Sequence, residues 1–273
     1  MYLITGCNGQ LGRELVARLP DAICADADTL DITDAAAVKQ FVEKNNVDLI
    51  INCAAYTAVD LAEDNFDAAY NVNVVGPKNL AVACDKIIHV STDYVFDGTG
   101  CVPYAPDDKT NPVSVYGKTK RDGEIAVLEN AKCPVVIRTA WLYSVHGNNF
   151  VKTMRRLGAE KDSINVVCDQ IGTPTFAGDL ADAIVKIIPQ MSPENAGVYH
   201  FTNEGVCSWY DFAIKIMELS GLKCDVKPIM SNQYPTRAKR PHFSVLSKNK
   251  IKDVFDLDIN HWEKGLEKCI KQF

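Results

Sequence analysis

Short apolar runs alternate with stretches of helical period through the first half of the chain. Runs rich in Ile, Leu, Val and Ala at 2–5, 22–25, 49–52, 87–91 and 135–138 predict strands. Between them, over 10–19, 34–45, 66–84 and 114–130, apolar residues recur at the spacing of one helix face, as Leu11, Leu15 and Leu19 illustrate. Such alternation implies parallel strands joined by crossover helices: an α/β fold with a Rossmann-type doubly wound parallel sheet. After Arg138 the rhythm changes. Irregular segments rich in Pro, Asn and aromatics, at 141–150, 169–176 and 234–243, separate helical patterns at 180–188, 208–220 and 262–270. The expected organisation is a dinucleotide-binding core over 1–140 with a returning segment at about 163–190. A smaller C-terminal α/β substrate-binding lobe, from 141–162 and 191–273, is interwoven with it.

Composition narrows the function classes. With 273 residues, 47% hydrophobic and 23% charged, the chain can bury one large core and a small lobe. Its net charge of −6 includes no basic block, so neither nucleic acid nor a membrane surface is an expected partner. No run approaches the roughly 18 apolar residues of a membrane span, and the N-terminus reads as a strand, not a signal peptide. The ten cysteines are scattered with no Cys-x-x-Cys, and read as reduced, mostly buried thiols of a cytoplasmic protein. The five histidines stand singly, and no metal site is expected.

Ligands of doubly wound sheets bind beyond the carboxyl ends of the strands, so candidate chemistry is sought there. Gly6-x-x-Gly9-Gln10-Leu11-Gly12 follows the first strand directly. Glycines there let backbone approach a pyrophosphate at a helix N-terminus. Asp26 follows the second strand, placed to bond an adenosine ribose hydroxyl; Asp28 and Asp31 crowd it, and a solvated acidic turn is the competing reading. Asn52-Cys53-Ala54-Ala55-Tyr56-Thr57 follows the third, where small residues let a flat cofactor lie on backbone. Thr92 and Asp93 leave the fourth, as substrate contacts or caps. Tyr116 and Lys120 stand four apart on a predicted helix, so phenol and ammonium share a face, and the cation should lower the phenol's pKa. Arg240, with Arg237 and Lys239, lies in a loop bracketed by Pro235 and Pro241. An Arg fork there suits a substrate diphosphate, against the alternative of a solvated loop.

In this order the motifs resemble the extended short-chain dehydrogenase/reductase superfamily and, within it, the dTDP-4-dehydrorhamnose reductase family. The likeness spans nearly the whole chain. Beyond the segments above it takes in Leu30-Asp31-Ile32-Thr33-Asp34, the continuation of the third-strand segment through Ala58-Val59-Asp60, Ser91-Thr92-Asp93-Tyr94-Val95-Phe96, Tyr116-Gly117-Lys118-Thr119-Lys120 and Arg138-Thr139-Ala140-Trp141-Leu142-Tyr143. It continues through Gly147-Asn148-Asn149-Phe150, Asp169-Gln170-x-Gly172-x-Pro174-Thr175 and Tyr234-Pro235-Thr236-x-Ala238-x-Arg240-Pro241. Cys53, where Ala is more usual, is a mild departure.

The resemblance implies a reductase using NADPH or NADH on a nucleotide-sugar, with Tyr116 as proton donor, Lys120 on the nicotinamide ribose and Thr92 completing the catalytic set. It places Gly6, Gly9, Gln10, Leu11 and Gly12 around the pyrophosphate, Asp26, Asp31 and Ile32 beside adenosine, and Ala55, Tyr56 and Thr57 along the cofactor. Thr92, Asp93 and Trp141 are the implied substrate contacts, joined by Asn149, for which helix capping is the other reading. The implied reaction reduces the 4-keto group of dTDP-4-dehydro-L-rhamnose, and the expected assembly is a homodimer. Two alternatives stand beside it: a reductase of another nucleotide-linked keto sugar, or a non-catalytic nucleotide-binding regulatory subunit. Intact Thr92, Tyr116 and Lys120 speak against the last.

Overall fold

The five strands expected in the first half lie side by side in the computed structural model, which describes residues 1–273. They are β1 (Tyr2–Thr5), β2 (Ile23–Ala25), β3 (Leu49–Asn52), β4 (Lys86–Thr92) and β5 (Cys133–Thr139). All pair in parallel in the order β2-β1-β3-β4-β5, with a sixth strand beyond β5. Alternate residues face opposite sides. Leu3, Ile50, Ile87 and Val136 pack with residues of α2 (Ala35–Lys44), α5 (Gly76–Ala83) and α6 (Val115–Asn130). Ile4, Ile51, Ile88 and Ile137 pack with α1 (Gln10–Arg18) and α8 (Ala177–Ile187). Burial on both faces is why β3, β4 and β5 read as continuous apolar runs rather than alternating ones.

The expected helix over 66–84 is interrupted. A π-helical stretch, Asn71–Val75, separates α4 (Phe66–Tyr70) from α5 and carries the fully buried Asn73. The short α3 (Val59–Ala62) precedes α4.

The lobe contains β6 (Leu142–Tyr143), α7 (Phe150–Glu160), β7 (Ser163–Val167), β8 (Ile171–Gly172) and β9 (Thr175–Phe176). After α8 the chain forms β10 (Gly197–His200), β11 (Cys207–Ser208), α9 (Trp209–Leu219), β12 (Asp225–Ile229), α10 (Asn249–Phe255) and α11 (Trp262–Ile270). The chain divides differently from the sequence expectation at two strands. β10 is the sixth strand of the central sheet, parallel to β5, and not part of the lobe. The partly exposed start of Gly197-Val198-Tyr199-His200 hides it as a strand, but the edge of β5 needs a partner for its N–H and C=O groups. Conversely, β7 pairs with β12 in the lobe. The lobe's own core joins Met154, Ile164, Phe176, Phe212, Ile216, Trp262 and Leu266.

Candidate active site

The carboxyl ends of β1 to β5 open into a cavity of about 790 Å³ between sheet and lobe, at the point where strand order reverses between β1 and β3. One end is backbone. Gly6 has φ +66, and a Cβ there would lie 2.6 Å from the Ala54 nitrogen; one on Gly12 would lie 2.3 Å from the Gly6 carbonyl oxygen. A cradle with no room for side chains suits a pyrophosphate. The α1 N-terminus points into it with Gly9 as cap, no side-chain cap and no acid in its first turn. By contrast α2, α6, α7 and α9 are capped by Asp34, Ser114, Asn149 and Ser208. The first N–H groups of α1 are thus free of side-chain competition for an anion.

Gly6, Gly9, Gln10, Leu11, Gly12, Asp26, Asp31, Ile32, Ala55 and Thr57 all line this half of the cavity. Asp26 accepts from the Asn8 N–H at 3.1 Å, tying β2 to the glycine-rich loop. Asp31 accepts from the Thr33 N–H and hydroxyl. Tyr56 does not line the cavity: its N–H and C=O are both engaged by the Asn73 amide (2.8 and 3.2 Å), which orients this loop by its backbone.

Thr92, Asp93, Tyr116 and Lys120 meet at the centre. The expected depression of the Tyr116 phenol by Lys120 is not what the geometry produces. Burial pushes Tyr116 up to about 12, with the Thr92 hydroxyl pulling the other way and the Asp93 charge adding to the rise. Lys120 instead donates to the Val90 carbonyl at 2.7 Å, and burial brings it down to about 8. Desolvation is the largest cause for both groups, and neither is shifted by the other. Asp93 is pushed up to about 6 by burial, against the hydrogen bond its Oδ1 accepts from the Thr92 hydroxyl at 3.1 Å, and its Oδ2 has no partner.

Behind these groups lie polar residues the sequence reading missed. Glu124, one turn after Lys120, accepts from the Ser91 hydroxyl at 2.5 Å and from the Arg138 fork at 2.9 and 2.7 Å, all buried. This staples α6 to the ends of β4 and β5; the i+4 spacing from Lys120 was the available signal. Asn73 bonds the Thr119 hydroxyl, which donates to the Tyr116 carbonyl. Asn52 accepts from the Thr5 hydroxyl and donates to His89, linking the ends of β1 and β3 to the middle of β4.

The lobe side is aromatic. Trp141 lines the cavity with φ +49, and its indole fills the space a side chain on Gly172 would need (2.7 Å). Trp209, which sequence reasoning overlooked, stacks on it at 3.6 Å between centroids and 8° between planes. Its only signal was the Ser208/Asp211 capping box that seats it at the start of α9. Two expected substrate contacts lie elsewhere. Asn149 caps α7, and its amide donates to Gln10 Oε1, Ser144 O and His146 O, so its polar atoms are engaged; its neighbour Asn148 lines the cavity. Arg240 does not line the cavity either: its fork holds Asp60, at 2.7 and 3.3 Å, because α3 offers a carboxylate where the loop passes.

A family model described as the RmlD substrate binding domain matches residues 1–273. The dTDP-4-dehydrorhamnose reductase of Aggregatibacter actinomycetemcomitans is 41% identical, the match covering 97% of this chain and 96% of that protein. Among solved structures, a dTDP-4-dehydrorhamnose reductase from Clostridium acetobutylicum superimposes with a TM-score of 0.94 at 44% identity, covering 99% of this chain and 98% of that one. One from Bacillus anthracis, in complex with NADP, does so with a TM-score of 0.95 at 40% identity, covering 100% and 99%.

Proposed function

The chain belongs to the family of the RmlD substrate binding domain, and from that premise we propose that it is an NAD(P)H-dependent reductase of a nucleotide-linked keto sugar. The reaction is reduction of the 4-keto group of dTDP-4-dehydro-L-rhamnose to dTDP-L-rhamnose. The observation that carries this reading is the meeting of Thr92, Tyr116 and Lys120 in one cavity that ends in a pyrophosphate cradle.

A nicotinamide cofactor held by these residues would supply the hydride. The chain's residues do the rest. Tyr116, held protonated by burial, is the acid that reduction requires: it gives its proton to the oxygen that becomes the hydroxyl. Thr92 sits beside the phenol and fixes the line of approach of the carbonyl oxygen. Lys120 lines the same cavity one helical turn from Tyr116 and would donate to the nicotinamide ribose. Gly6, Gly9 and Gly12 with the α1 N-terminus hold the pyrophosphate, and Asp26 faces the adenosine ribose. Ten unpaired thiols support a reducing, cytoplasmic setting, and no helix is long and apolar enough to cross a membrane.

Asp26 puts negative charge where a 2′-phosphate would sit and no Arg follows β2, so both cofactors are expected to work with no more than about a 10-fold preference, roughly 1.4 kcal/mol. The deciding experiment follows NADPH and NADH consumption with dTDP-4-dehydro-L-rhamnose against UDP- and GDP-linked keto sugars. Turnover confined to a different keto sugar would replace the substrate; no turnover with any of them would replace the reading.

A further inference from the structure

We propose that Asp60 is a positioning residue that latches residues 237–244 against the substrate side of the cavity. One carboxylate holds three donors from a segment about 180 positions away. Asp60 Oδ1 accepts the Ala238 N–H at 2.9 Å and Arg240 Nη1 at 3.3 Å, and Oδ2 accepts Arg240 Nη2 at 2.7 Å. Arg237 pairs with Asp64 beside it. Between the exposed Arg237 and Lys239, Ala238 is 1% exposed, so the segment is pinned and not draped.

The platform on which Asp60 sits is itself fixed to the reacting groups. Val59, its neighbour, lines the cavity. Glu63 Oε1 accepts the N–H of Val115, the residue before Tyr116, at 2.9 Å. Downstream of the latch the segment touches the site twice. Arg240 lies close enough to Tyr94 to influence its phenol, and the Tyr94 ring meets Tyr116 edge-on at 5.5 Å. Pro241 packs where Gly98 has no side chain, Phe243 donates to the Gly98 carbonyl, and Ser244 donates to the Ile171 carbonyl at 2.8 Å, its hydroxyl sharing with the Trp141 indole the space beside Gly172. A segment fastened at Asp60 therefore sets the position of Ser244 beside Gly172 and Trp141 on the substrate side. The competing arrangement has Arg240 leave Asp60 and bind the substrate diphosphate directly, with Asp60 a resting counter-ion only.

The two make opposite predictions for Asp60, and the first arm of the test needs no substrate. Trypsin can cut after Arg237 and Lys239, but not readily after Arg240, which precedes Pro241. The latch predicts that Asp60→Ala accelerates cleavage at these bonds about 5- to 10-fold, a partly exposed bidentate pair being worth roughly that much. Asp60→Asn, which keeps an acceptor for Ala238, should fall between, and melting temperatures should stay within a few degrees of the parent. The second arm rests on the reductase reading. Asp60→Ala and Arg240→Ala should each raise KM for the nucleotide-sugar about 5- to 10-fold, the double variant no further, with NADPH affinity unchanged within about twofold. Cleavage unchanged in Asp60→Ala overturns the latch, as does KM unchanged or lowered in Asp60→Ala while Arg240→Ala raises it. If the parent protein turns over no keto sugar, the reductase reading fails while the cleavage arm still decides the latch.

Discussion

The two walls of the cavity are built on different principles. On the sheet side, each functional group leaves a strand end or α6 and is backed by buried hydrogen bonds: Asn52 to Thr5 and His89, Asn73 to the 56 backbone, Glu124 to Ser91 and Arg138. On the lobe side the wall is made of aromatic faces, Trp141 on Trp209 on Phe150, packed and not hydrogen-bonded. The first arrangement holds the reacting groups in one orientation, as proton transfer needs. The second gives area and shape, which suit discrimination among sugar substrates. Rigidity and specificity are thus separated across the cleft.

The comparison breaks first at Glu124. Glu124→Ala leaves Arg138 buried without its partner, which should cost about 3–5 kcal/mol of stability. Urea denaturation measures it; a loss under about 1 kcal/mol would show that the sheet side does not depend on this staple. Next, Tyr116→Phe should lower kcat at least about 10²-fold with cofactor affinity little changed. Stopped-flow turnover near the parent rate would remove Tyr116 from its role.

Asp93 tests the strain on the sheet side through pH. Its folded pKa, near 6, lies above the ordinary 3.8. The folded protein therefore carries an unfavourable buried carboxylate above about pH 6. That penalty is relieved as pH falls toward 3.8, where the folded form takes up its proton before the unfolded one does. Asp93→Asn should accordingly be more stable than the parent at pH 7.5, by about 2 kcal/mol, and no more stable near pH 4. An equal shift in melting temperature at both pH values would contradict the buried-charge account. The smallest effect is expected on the lobe side: Trp209→Ala should raise KM for the nucleotide-sugar about 10-fold, roughly 1.4 kcal/mol, and leave NADPH affinity alone. If NADPH binding fell equally, the aromatic wall would belong to the cofactor half as well.

Motifs contiguous in sequence were legible as chemistry. The glycine spacing at 6, 9 and 12 describes a cradle because the requirement is on consecutive backbone, and the four-residue spacing of Tyr116 and Lys120 describes a helix face. The inner strands β3, β4 and β5 were legible because burial on both faces leaves an almost unbroken apolar run. Where the residue pattern had two readings, the fold chose between them. Asn149 became a cap because Lys152 and Gln10 lie within reach, and Arg240 an ion pair because α3 passes beside it. The reversed pKa of Tyr116 has the same origin: sequence spacing shows which charges are near, whereas desolvation depends on everything else packed around them.

By itself the sequence determined the first five parallel strands with the helices between them, the glycine cradle, and the helix face that Tyr116 and Lys120 share. All of these rest on periodicity or on residues within one turn of each other. Tertiary structure alone decided that β10 closes the sheet, that Glu124 meets Arg138, that Trp209 faces Trp141, and that Asp60 fastens a segment far along the chain. Those pairings join positions separated by 14 to 180 residues. No local spacing encodes them; they exist because folding brings buried charges, bare sheet edges and aromatic faces to the partners that satisfy them.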